Sequence, residues 1–283
     1  MTDPGFWRGL EWLSYYVFAP ALFIESIART SLTEISTGPF LVSLTVPVLV
    51  AAALLVVLRR PLRADGPQLT SLVQGSIRIN TYIGLGFASA LNGTAGVAAF
   101  ALAAAVMVPL VNVVSVTTLS IYGRPHDTSQ KPRPVWRELI TNPLIQGCAA
   151  GIALNVTGIG LPSTIAAPIE MLAAPALVSG TLVVGAAITL RLRLRDGFDI
   201  AVASLLKLVA LPLTAAGVAN AVGLSTAALT AVVVICAVPT APSAYVLASR
   251  MGGDTRLMAS ITGTQTILSI ATLPLILHLS TVR

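Results

Sequence analysis

Apolar and polar positions alternate along this chain in long blocks, not at every second or fourth residue. Predominantly apolar runs lie near 10–29, 39–58, 71–91, 96–120, 138–157, 164–190, 199–220, 224–248 and 257–280. A hydrocarbon core about 30 Å thick is crossed by about 20 helical residues. Each block is therefore one candidate membrane crossing, and the pattern predicts nine transmembrane helices. The turns between them are short. The longest polar stretch, GRPHDTSQKPRPVWRE at 123–138, falls near the middle. It predicts a linker at 122–137 between a first unit of four spans, 1–121, and a second unit of five spans, 138–283.

Two spans share the word APAL, at 19–22 and 174–177. A proline inside a helix removes a backbone donor and clashes with the preceding turn, so a repeated proline-bearing word has to serve some purpose. The two copies lie in spans that cross in opposite directions, and VPLV at 108–111 and LPLI at 273–276 form a second such pair. A repeat inverted across the membrane plane is a signature of secondary transporters.

Charge placement orients the spans. Arg59, Arg60 and Arg63 follow the second span; Arg124, Lys131, Arg133 and Arg137 the fourth; Arg191, Arg193 and Arg195 the sixth; Arg250 and Arg256 the eighth. The intervening turns at Asn92-Gly93, TGIGLPS and NAVG carry no charge. Basic loops stay in the cytoplasm, so the N-terminus is expected inside and the C-terminus outside, in a cell (inner) membrane. Composition agrees. Of the 283 residues 55% are hydrophobic and 10% charged, against about 25% charged in soluble domains. The net charge of +6 is distributed over loops and forms no basic face with interleaved aromatics, so a nucleic-acid partner is not expected. Cys148 and Cys236 each sit in an apolar run without a CxxC partner or a nearby histidine, and neither a metal site nor a disulfide is expected.

Charges within spans are costly and mark function by default. Five ionisable residues fall there: Glu25, Arg78, Glu170, Lys207 and His278. Arg78 and Lys207 lie about 12 Å along their helices at 1.5 Å per residue, within reach of partial snorkelling. Glu25 and Glu170 both fall on the outer side of the APAL prolines, as coupling-proton sites or as interfacial residues, and His278 is near the outer end. Two polar constellations stand out further. In SIRINTYIGLG, 76–86, Arg78, Asn80 and Tyr82 alternate before Gly84 and Gly86, which are expected to loosen the helix. In VPTAPSAYVLASRMGGD, 238–254, Pro239 and Pro242 flank Thr240 and Ala241 midway along a span. Two prolines three apart predict local unwinding, and freed backbone groups at membrane depth must face protein or a watery cavity. Half-helix N-termini there suit an anion. The chain contains no HExxH, GxSxG or Walker A motif, and its few in-span polar residues leave little for enzyme chemistry.

RINTYIGLG, VPLVNVVSV, NPLIQGCAAGIALNVTGIGLP and PTAPSAYVLASRMGGD together resemble the auxin efflux carrier family, which includes bacterial malonate-type permeases and the plant auxin carriers. The similarity covers nearly the whole chain. It implies an all-α fold of two inverted five-helix repeats, similar to bile-acid and sodium–proton transporters, whose fourth and ninth helices are interrupted and cross near the midplane. In such a fold a scaffold of helices one, two, six and seven often dimerises, and the remainder moves like an elevator. By this resemblance Asn80 matches the crossover asparagine that helps hold a substrate carboxylate. Pro239 matches the second crossover, and Lys207 resembles the helix-eight lysine of bacterial members. The implied substrate is a small organic anion, with H+ or Na+ as coupling ion and no cofactor. Two departures stand beside the match. The family's first helix has no counterpart, which leaves nine spans and a cytoplasmic start, and leaves open a truncated, non-transporting sensor or ligand-binding module. The RINTY stretch also lacks the plant carriers' proline, so unwinding around Asn80–Gly84 is not signalled by proline.

Overall fold

The computed structural model describes residues 4–29, 37–124, 140–187 and 196–281. Most of the predicted linker, and the loop arginines 191, 193 and 195, lie outside the described residues. The described residues are helical, without strands, and group into nine rods. The first rod is α1 (Pro4–Leu13), a π turn (Ser14–Phe18) and α2 (Ala19–Arg29). The second is α3 (Thr37–Val57). The third joins α4 (Gly66–Ile77) to the start of α5 (Thr81–Tyr122), and the rest of α5, beyond a non-helical Asn92-Gly93, is the fourth. The remaining five rods are α6 (Pro143–Val156), α7 (Ser163–Ala173) with α8 (Ala176–Ala187), α9 (Gly197–Leu205) with a second π turn (Leu206–Ala210) and α10 (Leu211–Ala221), α11 (Thr226–Ala237) with α12 (Ser243–Met251), and α13 (Thr255–Thr281). Among the described residues, five helical stretches are long and apolar enough to cross a bilayer unaided. The shorter α6 and α11 owe their length to chain signals. Asn142 caps α6 by accepting from the N–H groups of Leu144 and Ile145, with Pro143 in its first turn. The span expected from 138 therefore begins at 143.

The rods pack as two groups. In one, α1, α2, α6, α7 and α8 pack together; in the other, α3, α4, α5 and α9 to α13 pack together, with α3, α4 and α11 the main neighbours of α5 in that group, and α5 also carries the main contacts between the groups. Helix α6 lies close on α2 because Gly147 and Gly151, four apart, offer no side chain. A Cβ at Gly147 would stand 2.9 Å from the Pro20 Cα, and one at Gly151 2.9 Å from the Ile27 Cβ. Close approach through small residues is how helices associate where lipid removes the hydrophobic driving force. Outward faces are apolar, with Val57, Met171, Val178 and Ile270 all exposed.

Prolines are accommodated in more than one way. Pro20 and Pro212 each follow a π turn by two residues, and in each turn the bond runs five residues back, from Ala19 N–H to Ser14 and from Leu211 N–H to Leu206. The wider turn displaces the carbonyl that a proline ring would otherwise strike. The second APAL copy behaves differently: Ala174 and Pro175 form a turn that separates α7 from α8. The same word thus produces a bulge in one span and a break in another.

Candidate functional site: a crossing of two broken helices

The first break needs no proline. Helix α4 starts with a capping box between Asp65 and Gln68 and ends at Ile77, after which Arg78 is extended (φ −68°, ψ 155°). Asn80 then restarts the chain as the N-cap of α5. Its Oδ1 accepts from the N–H groups of Tyr82 (3.2 Å) and Ile83 (3.3 Å). Asparagine caps well because its carbonyl replaces the missing helical acceptor. The break therefore falls at Arg78–Asn80, earlier than the Asn80–Gly84 stretch expected. Gly84 does not loosen the helix. It lies within α5, where an added Cβ would stand 2.3 Å from the Phe100 ring, so its smallness permits close packing.

The second break is built into the covalent chain. Helix α11 ends at Ala237, Val238 is extended (φ −65°, ψ 146°), and α12 restarts at Ser243 after Pro239 and Pro242. In an unbroken helix the Cys236 carbonyl would accept the Thr240 N–H, and the Gly75 carbonyl the Ile79 N–H. Three of these four groups find a substitute. Lys207 Nζ, fully buried, donates to the Cys236 carbonyl at 2.9 Å. The Thr240 N–H donates to Gln265 Oε1 at 3.0 Å. The Gly75 carbonyl accepts from both the Thr240 hydroxyl (2.9 Å) and Gln265 Nε2 (2.8 Å). The two breaks also bond directly, Asn80 N–H to the Pro239 carbonyl at 2.8 Å. Irregular backbone at membrane depth survives when its polar groups are satisfied internally, and this network satisfies the Gly75, Cys236 and Pro239 carbonyls and the Asn80 and Thr240 N–H groups.

The surplus polar groups mark where the crossing can bind something. Asn80 is buried, its Oδ1 is committed to the cap, and its Nδ2 has no partner; the Tyr82 hydroxyl is likewise buried and unpartnered. Gln74 and Ser76, one residue either side of Gly75, carry further unpartnered atoms. Arg78 extends from the first break to the Ser243 hydroxyl at 3.2 Å, the first residue of the second half-helix. The starts of α5 and α12 both lie at the crossing, and helix N-termini are partially positive. Tyr82 also touches the other packing group, its ring fitting where Gly180 of α8 has no Cβ. A cavity of about 450 Å³ runs between α5 and α11, lined by residues including Asn92, Thr226, Thr230 and Val234.

A family model described as membrane transport protein matches residues 7–277. The chain belongs to that family. The assignment agrees with the auxin efflux carrier resemblance of the motifs and makes the chain a multi-pass membrane transporter. Comparison with curated proteins returned no match.

Within this transport protein the other singled-out residues have distinct places. Pro239 and Thr240 are buried in the crossing, with the Pro239 carbonyl and both polar groups of Thr240 engaged in it, while Ala241 and Pro242 are half-buried. Lys207 does not snorkel: it is enclosed on the second π turn, its charge held at the negative end of α11. Glu25 and Glu170 meet elsewhere, on either side of Arg29. The guanidinium pairs with Glu170 and lies 3.7 Å from Glu25, tying α2 to α7. His278 is exposed near the end of α13. Sequence reading passed over Gln265 and Gln74, because it searched apolar spans for ionisable residues and prolines. A glutamine in the middle of a span was the signal that could have found both.

Proposed function

We propose that this transporter is a secondary carrier of small organic anions of the carboxylate class, working by an elevator-type exchange of access. The observation that carries the reading is the buried, unpartnered Asn80 Nδ2 beside two half-helix N-termini. A carboxylate accepts from such donors, and hydrogen bonds to charged groups are the stronger kind. Asn80 and Tyr82 hold the anion with the Ala241 N–H, the backbone donor within 239–242 that the crossing does not use, and Arg78 and Lys207 compensate its charge. The two packing groups supply the parts of an elevator: the α1, α2, α6–α8 group as scaffold and dimer surface, and the α3–α5, α9–α13 group as the moving body. The breaks in the third and eighth rods, five apart, support paired inverted repeats. The arginine-bearing loops put the N-terminus on the cytoplasmic side of an inner membrane.

The test is uptake of labelled malonate and related dicarboxylates into proteoliposomes. Saturable uptake, lost in Asn80→Ala and Pro239→Ala, is expected. Unchanged transport in both variants contradicts the site. Ligand binding without flux supports instead a sensor or binding module. Replacing sodium by potassium or choline at fixed pH separates sodium coupling from proton coupling or uniport.

A further inference from the structure

A charged pocket, open to one side, lies away from the crossing, where α3 turns into α4. Its volume is about 720 Å³ and it is lined by Val56, Val57, Arg59, Arg60, Arg63, Ala64, Asp65 and Tyr122, a size within the range of small-molecule sites. The turn is tightly wound: Leu62 N–H bonds to the Leu58 carbonyl, Arg63 to Arg60 and Ala64 to Arg59. Arg63 takes a left-handed conformation (φ 51°), which non-glycine residues rarely adopt. This winding places three arginines, Arg59, Arg60 and Arg63, along the lining of one pocket. Arg59 is fixed there, its guanidinium 5.0 Å over the Tyr122 ring and its Nε 3.4 Å from the Ala64 carbonyl.

Among the described residues these arginines have no acidic partner. The ion pairs among the described residues use Arg29 and Arg256, and none involves Arg59, Arg60 or Arg63. Asp65, the one acid in the lining, directs its Oδ1 to the Gln68 N–H as a helix cap. The positive-inside rule asks only that a loop carry basic residues; it does not ask them to line one pocket.

An apolar track leads to the same place. Val46, Val50, Leu54 and Val57 lie on one face of α3, and they are 42%, 57%, 42% and 75% exposed. The last of them, Val57, lines the cavity. A basic head site at the end of an apolar stripe matches an amphiphile with an anionic head. We propose that this pocket binds the phosphodiester headgroup of an anionic phospholipid, whose acyl chain lies along the α3 stripe. The site rests on the chain's being a membrane protein and not on the substrate reading. It sits on the group proposed to move, so a lipid held there is carried with that group.

The experiment uses the full chain in detergent micelles doped with phosphatidylglycerol or phosphatidylcholine, read by native mass spectrometry for retained lipid and by thermal unfolding. Arg60→Gln with Arg63→Gln is compared with a charge-matched control on the same face, Arg8→Gln with Arg124→Gln. Preferential retention of phosphatidylglycerol by the wild type and by the control is expected, with at least about a hundredfold weaker retention in the Arg60/Arg63 variant, the loss of two hydrogen bonds to a charged group. Equal loss in both variants would mean diffuse attraction to basic loops and overturns the site. A third arm adds inorganic phosphate without lipid. Stabilisation by phosphate equal to that by phosphatidylglycerol, abolished in the Arg60/Arg63 variant, would make this a free-anion pocket and overturns the lipid assignment. Normal folding of the variant is checked by its unfolding transition without added lipid.

Discussion

The two breaks at the crossing are made in different ways. At 238–242 the covalent chain itself opposes a helix: Pro239 and Pro242, three apart, remove two N–H donors, whereas the single prolines Pro47, Pro109, Pro168 and Pro274 are carried inside helices. At 78–80 nothing covalent forbids a helix. The interruption holds because Asn80 caps α5 and because groups from distant elements, the Pro239 carbonyl, Thr240 and Gln265, bond to the backbone there. One break is local and the other is tertiary. A local break persists through changes in its surroundings; a tertiary break depends on each partner, and it is the more sensitive element.

Gln265→Leu is the substitution that tests this difference most severely. It leaves the Thr240 N–H without an acceptor and takes one of two donors from the Gly75 carbonyl. An orphaned buried group costs about 1–3 kcal/mol, so a loss at the upper end of that range is expected in a detergent unfolding titration, together with loss of flux. Lys207→Met comes next. It keeps the length of the apolar stem but leaves the Cys236 carbonyl unbonded, for about 1–2 kcal/mol. Because it acts on the proline-made side only, hydrogen exchange should rise at the end of α11 and not at the end of α4. Pro242→Ala should be milder, about 1 kcal/mol or less, since Pro239 and the crossing bonds still enforce the interruption. A helix that became continuous through 238–243 would show the break to rest on Pro242 itself. Glu170→Gln should do least. The Arg29 pair is partly exposed and lies on the α2–α7 contact, away from both breaks, so about 1 kcal/mol or less is expected and uptake should be unchanged. Lost uptake in that variant would return the acidic pair to a coupling role.

This contrast also explains what was legible in the sequence. Block hydropathy located the nine rods, since each needs about the same apolar length. The Pro239–Pro242 break was legible because proline acts on its own turn. The first break was located imprecisely, and Gly84 was given a loosening role, because the Gly75 and Phe100 neighbourhoods are set by residues far away in sequence. Depth alone left Lys207 open to snorkelling, to structural pairing or to charge compensation; the structure pairs it with the carbonyl that α11 leaves open 29 residues later. Gln265 attracted no notice because an uncharged amide in an apolar span changes hydropathy little, although its two polar atoms join both breaks.

Asn80 joins the two roles, since its oxygen builds the tertiary break and its nitrogen is free for substrate. Malonate uptake into proteoliposomes by wild type, Asn80→Ser and Asn80→Asp, with unfolding midpoints measured alongside, separates them. Serine and aspartate cap helices about as well as asparagine, so both variants should stay near wild-type stability. Both lose the amide donor, and a hydrogen bond to a charged group contributes about 1.5–3 kcal/mol, so malonate binding should weaken about tenfold to a hundredfold. Aspartate, which adds a negative charge at the site, should bring uptake to background. Wild-type uptake by a folded Asn80→Asp protein would contradict the assignment of the crossing as the anion site.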